Sequence, residues 1–216
     1  LSAGGCTSFE LFRRWVVSDK KILELEKATK QTELQQLKKQ INPHFLFNML
    51  NNANILVKDA PDEASQILEK LDNLLRYQLN DSTRREVFLT ADIQFLTSFL
   101  ELEKVRRDHF EYTIFQEGNM ENICIPPLLF IPFVENAVKH NLDSDNLSYV
   151  HLYFSVHNKQ LTFRCENSKP RVPVKREGGI GLANVKRRLD LLYESRYTLQ
   201  IEDKETTYNV NLHLNL

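Results

Sequence analysis

The segment Gln40-Ile41-Asn42-Pro43-His44-Phe45-Leu46-Phe47-Asn48 sets one imidazole directly after a proline and among four large apolar side chains. A proline inside a helical run either kinks the helix or starts a new one with the preceding residue as its cap, and both outcomes re-aim the side chain that follows. A neutral imidazole presented in this way, with an ordinary pKa of about 6.5, is a competent nucleophile. Leu34, Leu37, Ile41, His44 and Asn48 also continue one stripe at spacings of three and four, the setting of a satisfied core histidine, so the segment gains its weight from what lies downstream. There, in Pro132-Phe133-Val134-Glu135-Asn136-Ala137-Val138-Lys139-His140-Asn141, Asn136 and His140 share one helical face while Glu135 and Lys139 share the neighbouring one. A carboxylate, an amide oxygen, an ammonium and an imidazole then project toward one locality. A hard cation such as Mg²⁺ takes oxygen ligands and usually bridges substrate phosphates through one or two protein groups, which this set supplies. Glu135 and Lys139 alone would be an ordinary surface ion pair worth roughly a few tenths of a kcal/mol, but they follow Pro127 to Val134, a stretch wholly apolar or proline that anchors the helix beneath them.

Glycine placement adds a third element. Of six glycines, Gly178, Gly179 and Gly181 fall within four residues directly before an amphipathic helix carrying Leu182, Val185, Leu189 and Leu192. Backbone that approaches phosphate oxygens closely has no room for a Cβ, and a helix N-terminus offers free N–H groups and a positive dipole end to an anion. The chain has neither a G-x-x-x-x-G-K-[ST] loop nor the H-R-D and D-F-G pair, which excludes P-loop and protein-kinase folds as the source of such chemistry.

The elements that must position these residues follow from periodicity. Asp19 to about Val57 reads as helical, with Ile22, Leu25, Leu34, Leu37 and Ile41 as an interrupted apolar seam that invites a partner helix. Asp59-Ala60-Pro61-Asp62 reads as a turn, and Ile67, Leu68, Leu71, Leu74, Leu75 and Leu79 mark a second helix, giving an antiparallel hairpin. A third helix is expected from about Thr90, its cap, to Arg107. Beyond it the texture changes: a strand at Phe110 to Phe115, a helix at Pro127 to Asn141, strands at Tyr149 to Val156 and Leu161 to Cys165 joined by a turn at His157 to Gln160, and closing strands at Tyr197 to Ile201 and Tyr208 to Leu214. The fold class is α+β: a helical segment, then a mixed sheet with helices on one face. The expected organisation is 1–18 as a fusion junction or juxtamembrane remnant, 19–107 as a helical region and 108–216 as a sheet-bearing domain.

Composition removes several classes of function. With 216 residues, 42% hydrophobic and 26% charged, the chain can bury a core, and its net charge of -1 with dispersed Lys and Arg argues against a nucleic-acid partner. Cys6, Cys124 and Cys165 are odd in number and far apart, which suits inert thiols in a reducing compartment better than a disulfide framework or a metal site. The longest apolar run, Ile123 to Val134, is broken by three prolines and is too short to span a bilayer. Arg13-Arg14-Trp15-Val16-Val17 reads either as the edge of an upstream membrane region or as the start of an amphipathic helix.

Taken together, the histidine, asparagine and glycine segments resemble sensor histidine kinases of the LytS type, whose phosphorylated histidine sits in N-P-H-F-L-F-N and whose ATP-binding domain belongs to the gyrase, Hsp90, histidine kinase and MutL (GHKL) superfamily. The resemblance runs from about Leu34 to the C-terminus. It implies ATP and Mg²⁺ as cofactors, with His44 as phosphoacceptor and the Asn136 side-chain oxygen on Mg²⁺. Glu135 would orient or deprotonate the attacking group, and Lys139 with His140 or Asn141 would line the phosphates. Gly179, Gly181 and Leu182 fall in the second glycine box, and the residues from Lys169 to Glu177 in the lid over ATP. It further implies a homodimer through the N-terminal helices, phosphotransfer to an aspartate in a response regulator receiver domain, and a full-length protein at the cytoplasmic face of the inner (cell) membrane, tethered by an upstream region. One segment departs from the family: where D-x-G-x-G is usual, this chain has Cys165-Glu166-Asn167-Ser168-Lys169-Pro170. Alternation through Leu161, Phe163 and Cys165 points Asn167 inward and assigns it the adenine contact, with Glu166 as the second candidate. An amide oxygen accepts the same hydrogen bond as a carboxylate without charge assistance. That difference keeps two other readings open, a degenerate kinase that binds ATP and signals by conformation, and a GHKL-fold ATP hydrolase.

Overall fold

Proline sets the first two helices. α1, Pro43–Asp59, carries Pro43 in its first turn, where a missing N–H costs nothing. α2, Pro61–Asn80, begins with Pro61 followed by Asp62 and Glu63, acids that suit the positive end of the helix dipole. Only Ala60 separates them, and the two pack as the expected hairpin. The structure is a computed structural model that describes residues 43–141, 147–170 and 180–216, the side chains at 43, 44 and 180–182 excepted. The expectations for 1–18, the seam from Ile22 to Ile41, Cys6, Gly178 and Gly179, and all of the lid beyond Pro170, lie outside those residues. Among the described residues no helix is long and apolar enough to cross a membrane.

α3, Leu89–Arg106, starts one residue before the expected Thr90 cap: Phe88 occupies the cap position and makes no side-chain capping bond. The start is fixed instead by a two-stranded ribbon that periodicity could not reveal, β1 (Val87–Phe88) paired antiparallel with β3 (Cys124–Ile125), and by the Leu89 N–H donating to the Ile123 carbonyl at 2.8 Å. Two-residue strands have no period to read.

The sheet has five strands in the order β2-β4-β5-β7-β6, formed by β2 (Phe110–Gly118), β4 (Ser148–His157), β5 (Gln160–Ser168), β6 (Tyr197–Asp203) and β7 (Thr207–Asn215). β2 and β4 run parallel and every other pair antiparallel, which makes the sheet mixed. The β4–β5 connection is a two-residue turn whose Asn158 and Lys159 both have positive φ, 49° and 64°, the geometry that matches strand twist in tight hairpins. Along β5 the buried positions are Leu161, Phe163, Cys165 and Asn167, as alternation predicts. Cys165 is sealed in the core, where burial pushes its thiol up to about 12 and leaves it inert, whereas Cys124 is exposed. The helix expected from Pro127 begins later: α4 is Ile131–His140, because Pro127 to Phe130 form a turn. α5, Ile180–Tyr193, completes the helical layer.

Ile41–Leu216 form one compact unit. Its core runs without a break from Met49, Ile67 and Leu74 in the hairpin, through Leu96 and Leu100 of α3, to Phe163 and Leu212 in the sheet. The division expected at 107/108 is therefore one of chain texture, helical before and sheet after, and the interior is continuous across it.

Candidate functional site

α4 is seated by aromatic packing. Phe130 meets Phe163 at 4.5 Å and Phe154 edge-on at 5.2 Å between ring centroids, and Phe133 meets Phe163 at 5.7 Å. Burying rings of this size is worth about 1.5 to 3 kcal/mol each, enough to fix the helix on β4 and β5. Because Phe133, Val134, Ala137 and Val138 are the buried residues that follow, Glu135, Asn136, Lys139 and His140 occupy the opposite side, with Lys139 exposed and the other three half-buried. The four polar groups thus share one side of one helix.

Both ends of α4 are held by α3 or its end. At the C-terminal end, Arg107 donates from Nη1 to the Asn141 side-chain oxygen at 3.0 Å, and its guanidinium lies over the Phe110 ring at 4.9 Å. Asn141 in turn donates from Nδ2 to the Tyr149 carbonyl at 3.1 Å. Both ends of this fully buried amide are engaged by the protein, so Asn141 ties α4 to β4, and of the two candidates proposed to stand beside Lys139 at the phosphates it is His140 that lies on the outward side. At the N-terminal end, buried Asp92 accepts from the Leu128 N–H at 2.9 Å, while Arg188 of α5 donates to the carbonyls of Leu128, at 2.6 Å, and Pro127. Leu128 has φ of 55°, a left-handed conformation that costs a leucine on the order of 1 to 2 kcal/mol.

Electrostatics single out Glu135. Burial and then the neighbouring Glu103 carboxylate raise its pKa to about 7. Glu103 is itself buried on α3 and ion-paired to Arg106 at 2.7 Å. A carboxylate poised near neutrality can hold or give up a proton at working pH, as a general base must.

Asn167 lies at the same end of the sheet as Asn141. The Tyr149 N–H donates to the Ser168 hydroxyl at 3.0 Å, and Asn167, opposite Val150, donates from Nδ2 to the Ser168 carbonyl at 2.8 Å. The Asn167 oxygen is the end of the amide able to accept from a ligand. Asn167 is fully buried, while Glu166 lies on the opposite face of the sheet beside Arg164. His44 stands in the first turn of α1, and Gly181 and Leu182 in the first turn of α5; their side chains, like Gly179, lie outside what is described.

The histidine kinase family model matches residues 32–110, the span from before the proline–histidine segment to the start of β2. A sensor protein LytS of Staphylococcus haemolyticus is 30% identical over 203 residues, which is 87% of this chain and 35% of that protein. The chain is a homologue of the LytS-type sensor histidine kinases. Sensor histidine kinase YpdA of Escherichia coli is 31% identical over 119 residues, 55% of this chain and 21% of that one. A sensor histidine kinase/phosphatase LytS of Staphylococcus aureus is 32% identical over 115 residues, 53% of this chain and 20% of that one. The chain spans between a fifth and about a third of the length of these curated relatives.

Asp92, Glu103 and Arg188 also shape this site, and no motif marks them. Each sits on the apolar stripe of its helix, Asp92 and Glu103 among Leu89, Ile93, Leu96, Phe99 and Leu100, and Arg188 among Val185, Leu189 and Leu192. A charge on an apolar stripe is the signal that finds them, since burial of an ionised group requires a specific partner.

Proposed function

We propose that this chain is the kinase core of a two-component sensor, transferring the γ-phosphoryl group of ATP to His44 and from there to an aspartate on a response regulator. The observation that carries the reading is the outward side of α4, with a near-neutral carboxylate at Glu135 beside the Asn136 amide oxygen, in the same compact unit as His44. These residues suit Mg·ATP: a neutral oxygen donor for a cation that brings most of its other ligands as phosphate and water, and an acceptor at Asn167 for the adenine amino group. Mg²⁺ when bound would neutralise charge on the transferring phosphoryl group. The lone pair of the neutral His44 imidazole forms an N–P bond as the bridging P–O bond breaks, ADP departs with that electron pair, and the imidazole N–H proton passes to Glu135 or to solvent. Lys139 and His140 stand one turn along from Glu135 and Asn136, where they would face the phosphates. Incubation with γ-labelled ATP and Mg²⁺ should give a protein-bound label that acid removes and alkali does not. A label stable to acid would overturn the assignment to histidine.

The carboxylate form of Glu135, the form able to take a proton, gains population as pH rises through about 7. Autophosphorylation should rise across the same interval. Glu103→Gln removes the second cause of the shift and leaves burial, so the acid limb of the rate profile should move part of the way toward lower pH. An unmoved limb would place Glu103 outside the machinery. Linkage gives stability the opposite trend: protonated Glu135 favours the fold, a contribution fully present below the ordinary carboxylate pKa and lost as pH rises through about 7.

The same reading makes the chain a dimer. α1 and α2 leave Phe47 at 66%, Ile55 at 69% and Leu79 at 64% exposure. Phe45, Leu46 and Met49 pack against this chain's own core, with Phe45 meeting Phe99 at 4.9 Å. The outward stripe is what remains for a partner hairpin, as in a four-helix bundle. Light scattering should give twice the 25.3 kDa chain mass, and in the full-length protein an upstream region would hold this dimer at the cytoplasmic face of the membrane. A second reading, an ATP-binding module that signals by conformation, is favoured by the uncharged Asn167 at the adenine position and predicts nucleotide binding without label.

A further inference from the structure

The turn that launches α4 is gripped by side chains from three other elements. Leu128 gives its N–H to Asp92 of α3 and its carbonyl to Arg188 of α5, and the same Asp92 oxygen accepts from the Tyr77 hydroxyl of α2 at 2.6 Å. Tyr77 is fixed by stacking on Phe95 at 4.8 Å, so its hydroxyl reports where the α1–α2 hairpin sits. The grip is incomplete. Asp92 Oδ2 and Arg188 Nε are both buried and neither makes a well-aligned hydrogen bond among the described residues, the Phe130 N–H being the further backbone donor that approaches Asp92, so an acceptor and a donor of opposite charge are left under-used in one cluster. A second arrangement, in which Arg188 turns onto Asp92 and releases the Leu128 carbonyl, would satisfy both and let Leu128 leave its left-handed conformation.

We propose that the Pro127–Phe130 turn is a two-position latch on the nucleotide site, held closed by Asp92 and Arg188 and reported to the hairpin by Tyr77, so that movement of α1–α2 sets how firmly α4 presents Glu135 and Asn136. The proposal rests on the reading of α4 as part of a nucleotide site. Two elements then bias one strained residue from opposite sides, the hairpin through Tyr77 and the helix that follows the glycine segment through Arg188. Coupling between sites is reciprocal, so nucleotide bound against α4 must also steady Tyr77 and the hairpin.

Tyr77→Phe removes the hydroxyl and keeps the ring on Phe95. By hydrogen exchange of the whole chain without nucleotide, this variant should exchange roughly tenfold faster across α4 and α2 and at the unmodified rate in β5 and β7, since a local opening is distinct from global loss of stability. Arg188→Lys should loosen α4 in the same way, and the double variant should add little to either single one, as members of one device do. Nucleotide affinity measured with Mg·ADP should fall roughly fivefold in Tyr77→Phe. Asp92→Asn, which keeps an acceptor for the Leu128 N–H, serves as a second variant and should loosen α4 without unfolding the sheet. Unchanged exchange in α4, equal acceleration in β5 and β7, additive effects in the double variant, or an unaltered Mg·ADP affinity in a chain that binds it would each overturn the latch. A parent chain that binds no Mg·ADP would instead overturn the reading of the site, and the exchange measurements would still decide whether the turn opens.

Discussion

His44→Gln should abolish the acid-labile label while leaving Mg·ADP binding intact. His44 alone follows a proline in the first turn of a helix, whereas the described competitors have other settings. His151 is bonded to Thr113 at 2.7 Å and stacked on Tyr149, His213 is bonded to Thr162 at 3.0 Å, and His157 faces Glu117 at 3.7 Å. These three lie on or at the end of the sheet, turned from its helix-covered face, and His109 precedes β2. Glutamine preserves a polar side chain of similar reach but has no lone pair able to form an N–P bond at a useful rate, so the loss should be complete. Full labelling of the variant would move the acceptor to another histidine, with His140 on the outward side of α4 the first to examine.

Asn136→Asp should weaken Mg·ATP binding by at least about tenfold, equivalent to about 1.4 kcal/mol, with the fold preserved. The new carboxylate would stand next to Glu135, which already feels Glu103, so three acids would crowd one patch and Glu135 would be driven further toward its protonated form. Half-burial at position 136 means that the change should leave the core alone, and circular dichroism should match the parent. Calorimetry that returns parental affinity would require the cation to be held elsewhere.

Long periodic segments were legible before any coordinates. The stripe from Ile67 to Leu79 gave α2, alternation in β5 placed Asn167 inward, and a polar break between two apolar runs gave the turn at His157 to Gln160, which the structure narrows to Asn158-Lys159. Legibility failed where tertiary contacts outweigh local preference. The Thr90 cap lost to a strand pair at Val87-Phe88 that only Cys124-Ile125, distant in sequence, could create. The helix expected from Pro127 was delayed to Ile131 because Asp92 and Arg188 hold the preceding peptides in a turn. The outward patch on α4 was readable from spacing alone, but the group that helps tune it, Glu103, was hidden in a helix read only for its apolar positions. Asn141 looked like a site residue from its place in the motif, and only the Arg107 and Tyr149 contacts give it a bracing role.

The unbroken interior has a practical consequence for sensor engineering. Chimaeric receptors are assembled by cutting between modules, and the obvious seam here is the change from helices to sheet after Arg107. A cut at that seam would part Leu96 and Leu100 from Phe163 and Leu212, and one at the bend near Arg84 would part Met49, Ile67, Leu74 and Tyr77 from Leu96 and Phe99, all members of one core. The cut near Arg84 would also strand Asp92 without the hydroxyl it accepts from. A transplant should therefore carry everything from Ile41 onward as a single cassette, with new input domains spliced ahead of the proline–histidine segment.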